Sequence, residues 1–108
     1  MRINKLPLED AFVIKPELVT DNRGMFARVF CQRELQNMLY GNNIVQINHS
    51  LTKQKGAIRG MHFQYPPKAE TKMVKCLHGS VFDVIIDLCQ GSSTFLKWHR
   101  EILSLLKI

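Results

Sequence analysis

The sequence predicts a mainly β fold, an antiparallel sandwich or barrel of the jelly-roll kind. Two observations point there. From Ile44 onward nearly every run looks extended and is bounded by turn signals such as Pro66-Pro67 and Gly91-Ser92-Ser93. Only one stretch, "QRELQNMLY", carries a clear helical period.

Taken in chain order, "VTDNRGMFARVFC" combines the turn-forming Asp21-Asn22-Arg23-Gly24 with an apolar-rich run through Cys31, which suits a turn entering a strand. Leu35, Met38 and Leu39 then fall at i, i+3 and i+4, so a short helix is expected near residues 33–40, ending at Gly41-Asn42-Asn43. "IVQINHS" alternates Val45, Ile47 and His49 against Gln46, Asn48 and Ser50, as a strand with one apolar and one polar face would. "GAIRGMHFQ" is strand-like but holds glycines at 56 and 60, positions that mark bulges or close backbone approach. "TKMVKCLHGSVFDVIIDL" reads as two β-rich runs joined in a hairpin at His78-Gly79-Ser80. The last stretch is ambiguous: Thr94 to His99 suits a strand, while Leu96, Leu103 and Leu106 also fit a helical stripe.

At 108 residues and 45% hydrophobic, the chain is expected to form one domain, 1–108, with one core. No apolar stretch approaches the roughly 20 residues needed to cross a bilayer, and the N-terminus lacks a signal-peptide pattern. The expected location is cytoplasmic. Cys31, Cys76 and Cys89 are odd in number and widely spaced, which argues for reduced thiols and against a disulfide framework or zinc knuckle. The formal charge of +6 is dispersed rather than clustered, so a phosphorylated small ligand explains it better than nucleic acid.

Several residues carry possible chemistry. Strand twist and a bulge at Gly60 would bring Arg59 and His62 to one cavity, although a lone strand histidine is usually structural. A metal is the first alternative for His62. Gly56, His62 and Glu70 fit a common barrel spacing, but Gln64 stands where a second imidazole would be needed, and an amide is a poor transition-metal ligand. A histidine freed from coordination can act as a general base when something holds its tautomer. Asp83 and Asp87, four apart on one strand face, are candidates for that role or for ordinary ion pairs. Lys72 or Lys75 can stabilise an enolate, or simply be solvated. Arg23 and Arg59, each near a glycine, suit phosphate recognition through the guanidinium fork. Gln46 and Asn48 share a face and can read amide-like base edges, while Phe26 and Trp98 can stack on a ring or fill a core.

The stretches "DNRGMFARVF", "QINHS", "KGAIRGMHFQYPP", "AETKMVKCLHGSVFDVIIDL" and "GSSTFLKW" together resemble the dTDP-4-dehydrorhamnose 3,5-epimerase family of metal-free cupins over about residues 8–103. The resemblance implies a cupin-type jelly roll, or double-stranded β-helix barrel, needing neither metal nor cofactor. It implies epimerisation of dTDP-4-dehydro-6-deoxy-D-glucose through proton removal alpha to the C4 ketone. On this sequence His62 matches the general base, Lys72 the enolate stabiliser and Asp83 a position beside the active histidine. Arg59 matches a diphosphate contact, Gln46 and Asn48 match polar pocket positions, and Arg23 and Phe26 match nucleotide contacts made across a dimer interface. A homodimer built by strand exchange is therefore expected.

Two departures accompany the match. Arg28 stands where many members carry Glu. Family members also continue with further strands, an acid tyrosine and an aspartate paired with the histidine, whereas this chain diverges after about Ser104. The expectation is a barrel incomplete at its C-terminus, with weak or no epimerase activity. A non-catalytic sugar-nucleotide-binding or assembly module on the same scaffold is the alternative.

Overall fold

Strands form in this chain wherever a neighbouring segment supplies ladder partners, and the computed structural model, which describes residues 1–105, shows three such places. β1 (Arg2–Lys5) pairs antiparallel with β2 (Phe12–Lys15), with Ile3 opposite Ile14. The connection is closed by Leu6 N–H donating to the Ala11 carbonyl at 2.9 Å. β3 (Leu18–Asp21) pairs with β4 (Gly24–Ala27) across the two-residue loop Asn22-Arg23, so the predicted turn at 21–24 closes a hairpin. β5 (Ser80–Ile86) pairs with β6 (Trp98–Ser104), from Ser80 opposite Ser104 to Ile86 opposite Trp98.

The helix α1 (Gln32–Leu39) lies within one residue of its expected bounds. Its stripe buries Leu35 fully and Leu39 almost fully against Ile14 of β2, with Met1, Phe30 and Met38 packed around them. Tyr40 ends the helix in the left-handed conformation, at φ 48°, where glycine is the usual occupant. Its hydroxyl donates to Asp10 Oδ1 at 2.5 Å, which ties the helix end to the β1–β2 connection.

Two expectations change. The hairpin placed at His78-Gly79-Ser80 does not form: β5 takes β6 as its partner, and residues 77–79 are a bend. That pairing also resolves the ambiguous last stretch as a strand; Leu106 of the helical alternative lies outside the described residues. Residues 42–79 contain neither helix nor strand, although "IVQINHS", "GAIRGMHFQ" and "TKMVKC" all read as strands. A strand is defined by its partner, and none of the described segments pairs with them. Every residue from 40 to 74 is correspondingly exposed.

The period-2 alternation of β5 and β6 separates two faces. Phe82, Val84 and Ile86 share one with Trp98, Arg100 and Ile102; Val81, Asp83 and Ile85 share the other with His99, Glu101 and Leu103. Leu103 is buried on the second face, whereas Phe82, Trp98 and Ile102 on the first are each about 60% exposed. Trp98 and Phe26 therefore do not fill a core in this structure. The cysteines are free thiols: Cys76 is buried, Cys31 half-buried and Cys89 exposed. No helix among the described residues is long and apolar enough to cross a membrane.

Candidate functional site

The β3–β4 hairpin carries the first two candidates. Asp21 accepts the Arg23 backbone N–H at 2.9 Å through Oδ1, and Oδ2 accepts Arg23 Nε at 3.1 Å and Nη2 at 2.5 Å. This local fork holds an otherwise exposed guanidinium over the turn, and it lowers the Asp21 carboxyl below its ordinary range. Phe26, opposite Val19, is 71% exposed. Two residues on, Arg28 Nη1 donates to Glu34 Oε1 at 2.5 Å, and Glu34 Oε2 meets the terminal ammonium of Met1 at 3.2 Å. Arg28 thus has a carboxylate partner on α1.

The segment 42–79 carries five more candidates, all exposed: Gln46, Asn48, Arg59, His62 and Lys72. Arg59 makes only long contacts, Nε to Thr52 Oγ1 at 3.4 Å and Nη2 to the Leu51 carbonyl at 3.5 Å. Gly60 has φ +107°, a conformation unfavourable for any side chain, and a Cβ there would lie 3.9 Å from His62 Nδ1. The strand expected over 58–64 is not formed, so the expected bulge at Gly60 does not form either; the chain turns at this glycine instead. His62 makes no hydrogen bond or ion pair among the described residues. Lys72 Nζ is 3.2 Å from Glu70 Oε1, a pair about half exposed on both sides. Phe63 and Tyr65 meet edge to face with centroids 5.0 Å apart.

The two aspartates of "VFDVIIDL" have different fates. Asp83 lies within the ladder opposite Glu101, half-buried, and burial pushes its carboxyl above the ordinary range. Asp87 lies one residue past β5 and is buried. Its Oδ2 accepts hydrogen bonds from Ser92 Oγ and, at 2.7 Å, from Thr94 Oγ1, while Oδ1 accepts the Cys89 N–H at 2.8 Å. These donors hold its carboxyl down at about 2. Glu9 N–H donates to Thr94 Oγ1, and Glu9 Oε1 and Oε2 accept the Ser93 hydroxyl and amide, so the knot joins chain ends 84 to 85 residues apart. Sequence reasoning missed this knot. Its signal was the Ser92-Ser93-Thr94 cluster after Gly91, read only as a turn.

His62, Lys72 and Asp83 are not joined to one another by any hydrogen bond or ion pair among the described residues. A cleft of about 540 Å³ lies elsewhere, lined by residues 5–12 with Tyr40, Ser93 and Thr94, and none of the candidate residues borders it. Among the described residues no three His, Cys, Asp or Glu side chains form a group able to hold a metal ion.

Comparison with known proteins gives this scatter a frame. A family model described as dTDP-4-dehydrorhamnose 3,5-epimerase matches residues 5–107. The epimerase of that name from Escherichia coli strain K12 is 38% identical over 105 residues, covering 96% of this chain and 56% of that protein. The Pseudomonas aeruginosa epimerase is 36% identical over 105 residues, with 57% of its length covered. The chain thus spans little more than half the length of these curated relatives. Among solved structures, the Bacillus anthracis dTDP-4-dehydrorhamnose 3,5-epimerase with TDP and PPi bound superposes with a TM-score of 0.90 at 35% identity, covering 98% of this chain and 62% of that one. The Legionella pneumophila epimerase in complex with dTDP-4-keto-L-rhamnose superposes at 0.86 and 34% identity, with 98% and 57% covered. The mainly β, cupin-like fold expected from the sequence is the fold of these neighbours.

Proposed function

Because the chain belongs to the dTDP-4-dehydrorhamnose 3,5-epimerase family, we propose that it acts on dTDP-4-dehydro-6-deoxy-D-glucose, removing protons alpha to the C4 ketone and returning them on the opposite face. The match over residues 5–107, with His62 and Lys72 inside it, is the observation that carries this reading. His62 takes the proton from carbon. The C–H electron pair becomes the enolate double bond, and charge moves to the C4 oxygen, where the Lys72 ammonium stabilises it. Reprotonation from the other face completes the inversion with no net redox change. Arg23 and Arg59 bind the diphosphate, Phe26 stacks on the base, Gln46 and Asn48 contact base and sugar, and Asp83 supports the histidine.

Exposure sets the expected rate. An ammonium acting on an oxyanion in bulk water contributes far less than one in a closed cavity, and no hydrogen bond among the described residues holds the His62 tautomer. Turnover is therefore expected to be slow in this chain. Residues 1–108 are read as one domain in a cytoplasmic protein, for which three unpaired thiols suit a reducing compartment. A homodimer formed by strand exchange belongs to the same reading: among the described residues β3–β4 has no third strand beside it, and it exposes Val19 and Phe26.

The test is solvent deuterium incorporation at C3 and C5 of the keto sugar, which needs only the base and the enolate stabiliser. His62→Ala should reduce it by roughly 10²- to 10⁴-fold. Absence of exchange in folded chain rejects catalysis, and calorimetric binding of dTDP without exchange would leave a binding module. Light scattering that finds a monomer at every concentration rejects the dimer.

A further inference from the structure

Charge is unevenly divided between the paired and unpaired parts of this chain. Residues 42–79 carry Lys53, Lys55, Arg59, Lys68, Lys72 and Lys75 against the single acid Glu70, a formal +5. The remaining described residues hold eight Lys or Arg and eight Asp or Glu, so their formal charge is zero. In that neutral part Arg2, Arg23 and Arg28 each meet a carboxylate. In the segment only Lys72 does, with Glu70; Lys53, Lys55, Lys68 and Lys75 make no ion pair among the described residues. Lys53 and Lys55 lie at the turn between the strand-like stretches 44–50 and 58–64, and Lys68 at the turn that follows the second. All three are exposed. The main chain is open as well. Among the described residues the segment's main-chain hydrogen bonds are those from the Asn42, Ala57 and Lys68 N–H groups to the Leu39, Gln54 and Tyr65 carbonyls. No main-chain partner therefore claims the N–H groups and carbonyls of 44–50 or 58–64, while Val45, Ile47 and Ile58 are 95%, 84% and 93% exposed.

We propose that segment 42–79 is a docking surface for an acidic polypeptide that adds to it as a strand, with apolar side chains in alternate positions and carboxylates reaching the lysines at the turns. Unclaimed N–H groups and carbonyls over two such stretches accept a strand through ladder hydrogen bonds. Val45 and Ile47, two residues apart, meet its alternate side chains. The cations at the turns select its charge. A nucleic acid would answer the charge alone, because phosphates accept hydrogen bonds but donate none, leaving the carbonyls unpaired and the valine and isoleucines wet. A second copy of this chain would set one +5 segment against another, or against a surface without net charge. Electrostatics therefore favours a different, acidic chain. Lys53, Lys55 and Lys68 have no part in the epimerase reading, so the two assignments stand or fall separately.

Fluorescence anisotropy of the whole chain with labelled synthetic peptides tests the surface. One peptide alternates valine with glutamate, a second alternates valine with lysine, and a third holds the residues of the first in two separate blocks. The alternating glutamate peptide should bind at least about tenfold more tightly than either of the others and weaken as salt rises. It should also slow amide exchange across residues 44–64. The triple variant Lys53→Gln/Lys55→Gln/Lys68→Gln should weaken that binding about tenfold and leave dTDP affinity unchanged. The peptide comparison uses the unsubstituted chain, so it decides the matter whether or not the variant folds. Absence of binding, or equal binding of the lysine peptide, overturns the docking surface. Binding that leaves exchange at 44–64 unaltered, or that is as tight for the block peptide, overturns strand addition. A single-stranded oligothymidylate that binds more tightly and displaces the glutamate peptide overturns the choice of a polypeptide. Loss of dTDP binding in the triple variant assigns these lysines to the nucleotide and overturns their separate role.

Discussion

The β5–β6 hairpin and the segment 42–79 are both built from β-favouring sequence, yet one is a seven-pair ladder and the other has no regular structure. The hairpin needs only 25 residues of chain to find its partner strand. Its connection is then locked by Asp87, whose donors all come from the same loop. The segment 42–79 holds five of the eight candidate residues, and no described strand pairs with it. Local sequence can therefore choose the chemistry of a site while leaving its geometry to remote contacts.

Amide hydrogen exchange should show the largest difference between these regions. Protection across β5 and β6 is expected to exceed that of residues 44–64 by about 100-fold or more, because unpaired amides open freely. Equal protection would mean that the segment has found partners in solution. Core truncation gives the next largest effect. Leu103→Ala, at a position 4% exposed, should cost about 2–4 kcal/mol in urea unfolding, whereas Ile58→Ala, 93% exposed, should stay within about 0.5 kcal/mol.

Acid should act on the hairpin loop before its ladder. The folded carboxyl of Asp87 lies at about 2 against an ordinary value of 3.8, so its contribution is complete above the ordinary value and is lost as pH falls toward 2. Glu9 is depressed too, by the Ser92 and Ser93 hydroxyls and the Ser93 amide, and strengthens the same trend. Thermal midpoints should fall between pH 4 and 2, and more shallowly in Thr94→Val. The smallest effect is expected at Arg28. Its pair with Glu34 is largely exposed, so Arg28→Ala should destabilise less than Leu103→Ala, by an amount that disappears in 1 M salt.

How much of the molecule was readable follows the same division. The helix was placed to within one residue because Leu35, Met38 and Leu39 write its period locally, and the turn at 21–24 enters a strand, β4, as its residues suggested. The partner of β5 was misjudged. Both 72–77 and 98–104 are suitable strands, and propensity does not rank two partners. The Asp87 knot was invisible because its donors are ordinary turn residues until the loop folds back on Glu9. Asp83 and Asp87 looked equivalent by spacing, yet one stands in a ladder opposite a carboxylate while the other is hydrogen-bonded and buried.

Residue identity was enough to establish the family, the β class, the helix and the set of groups able to bind a diphosphate and move a proton, since these depend on side-chain chemistry and short-range order. Which strands pair, which aspartate is held ionised, and how far His62, Lys72 and Asp83 stand from mutual contact came from the folded chain. Those properties are set by contacts between segments tens of residues apart, and the free energy of such contacts is written in no single stretch of sequence.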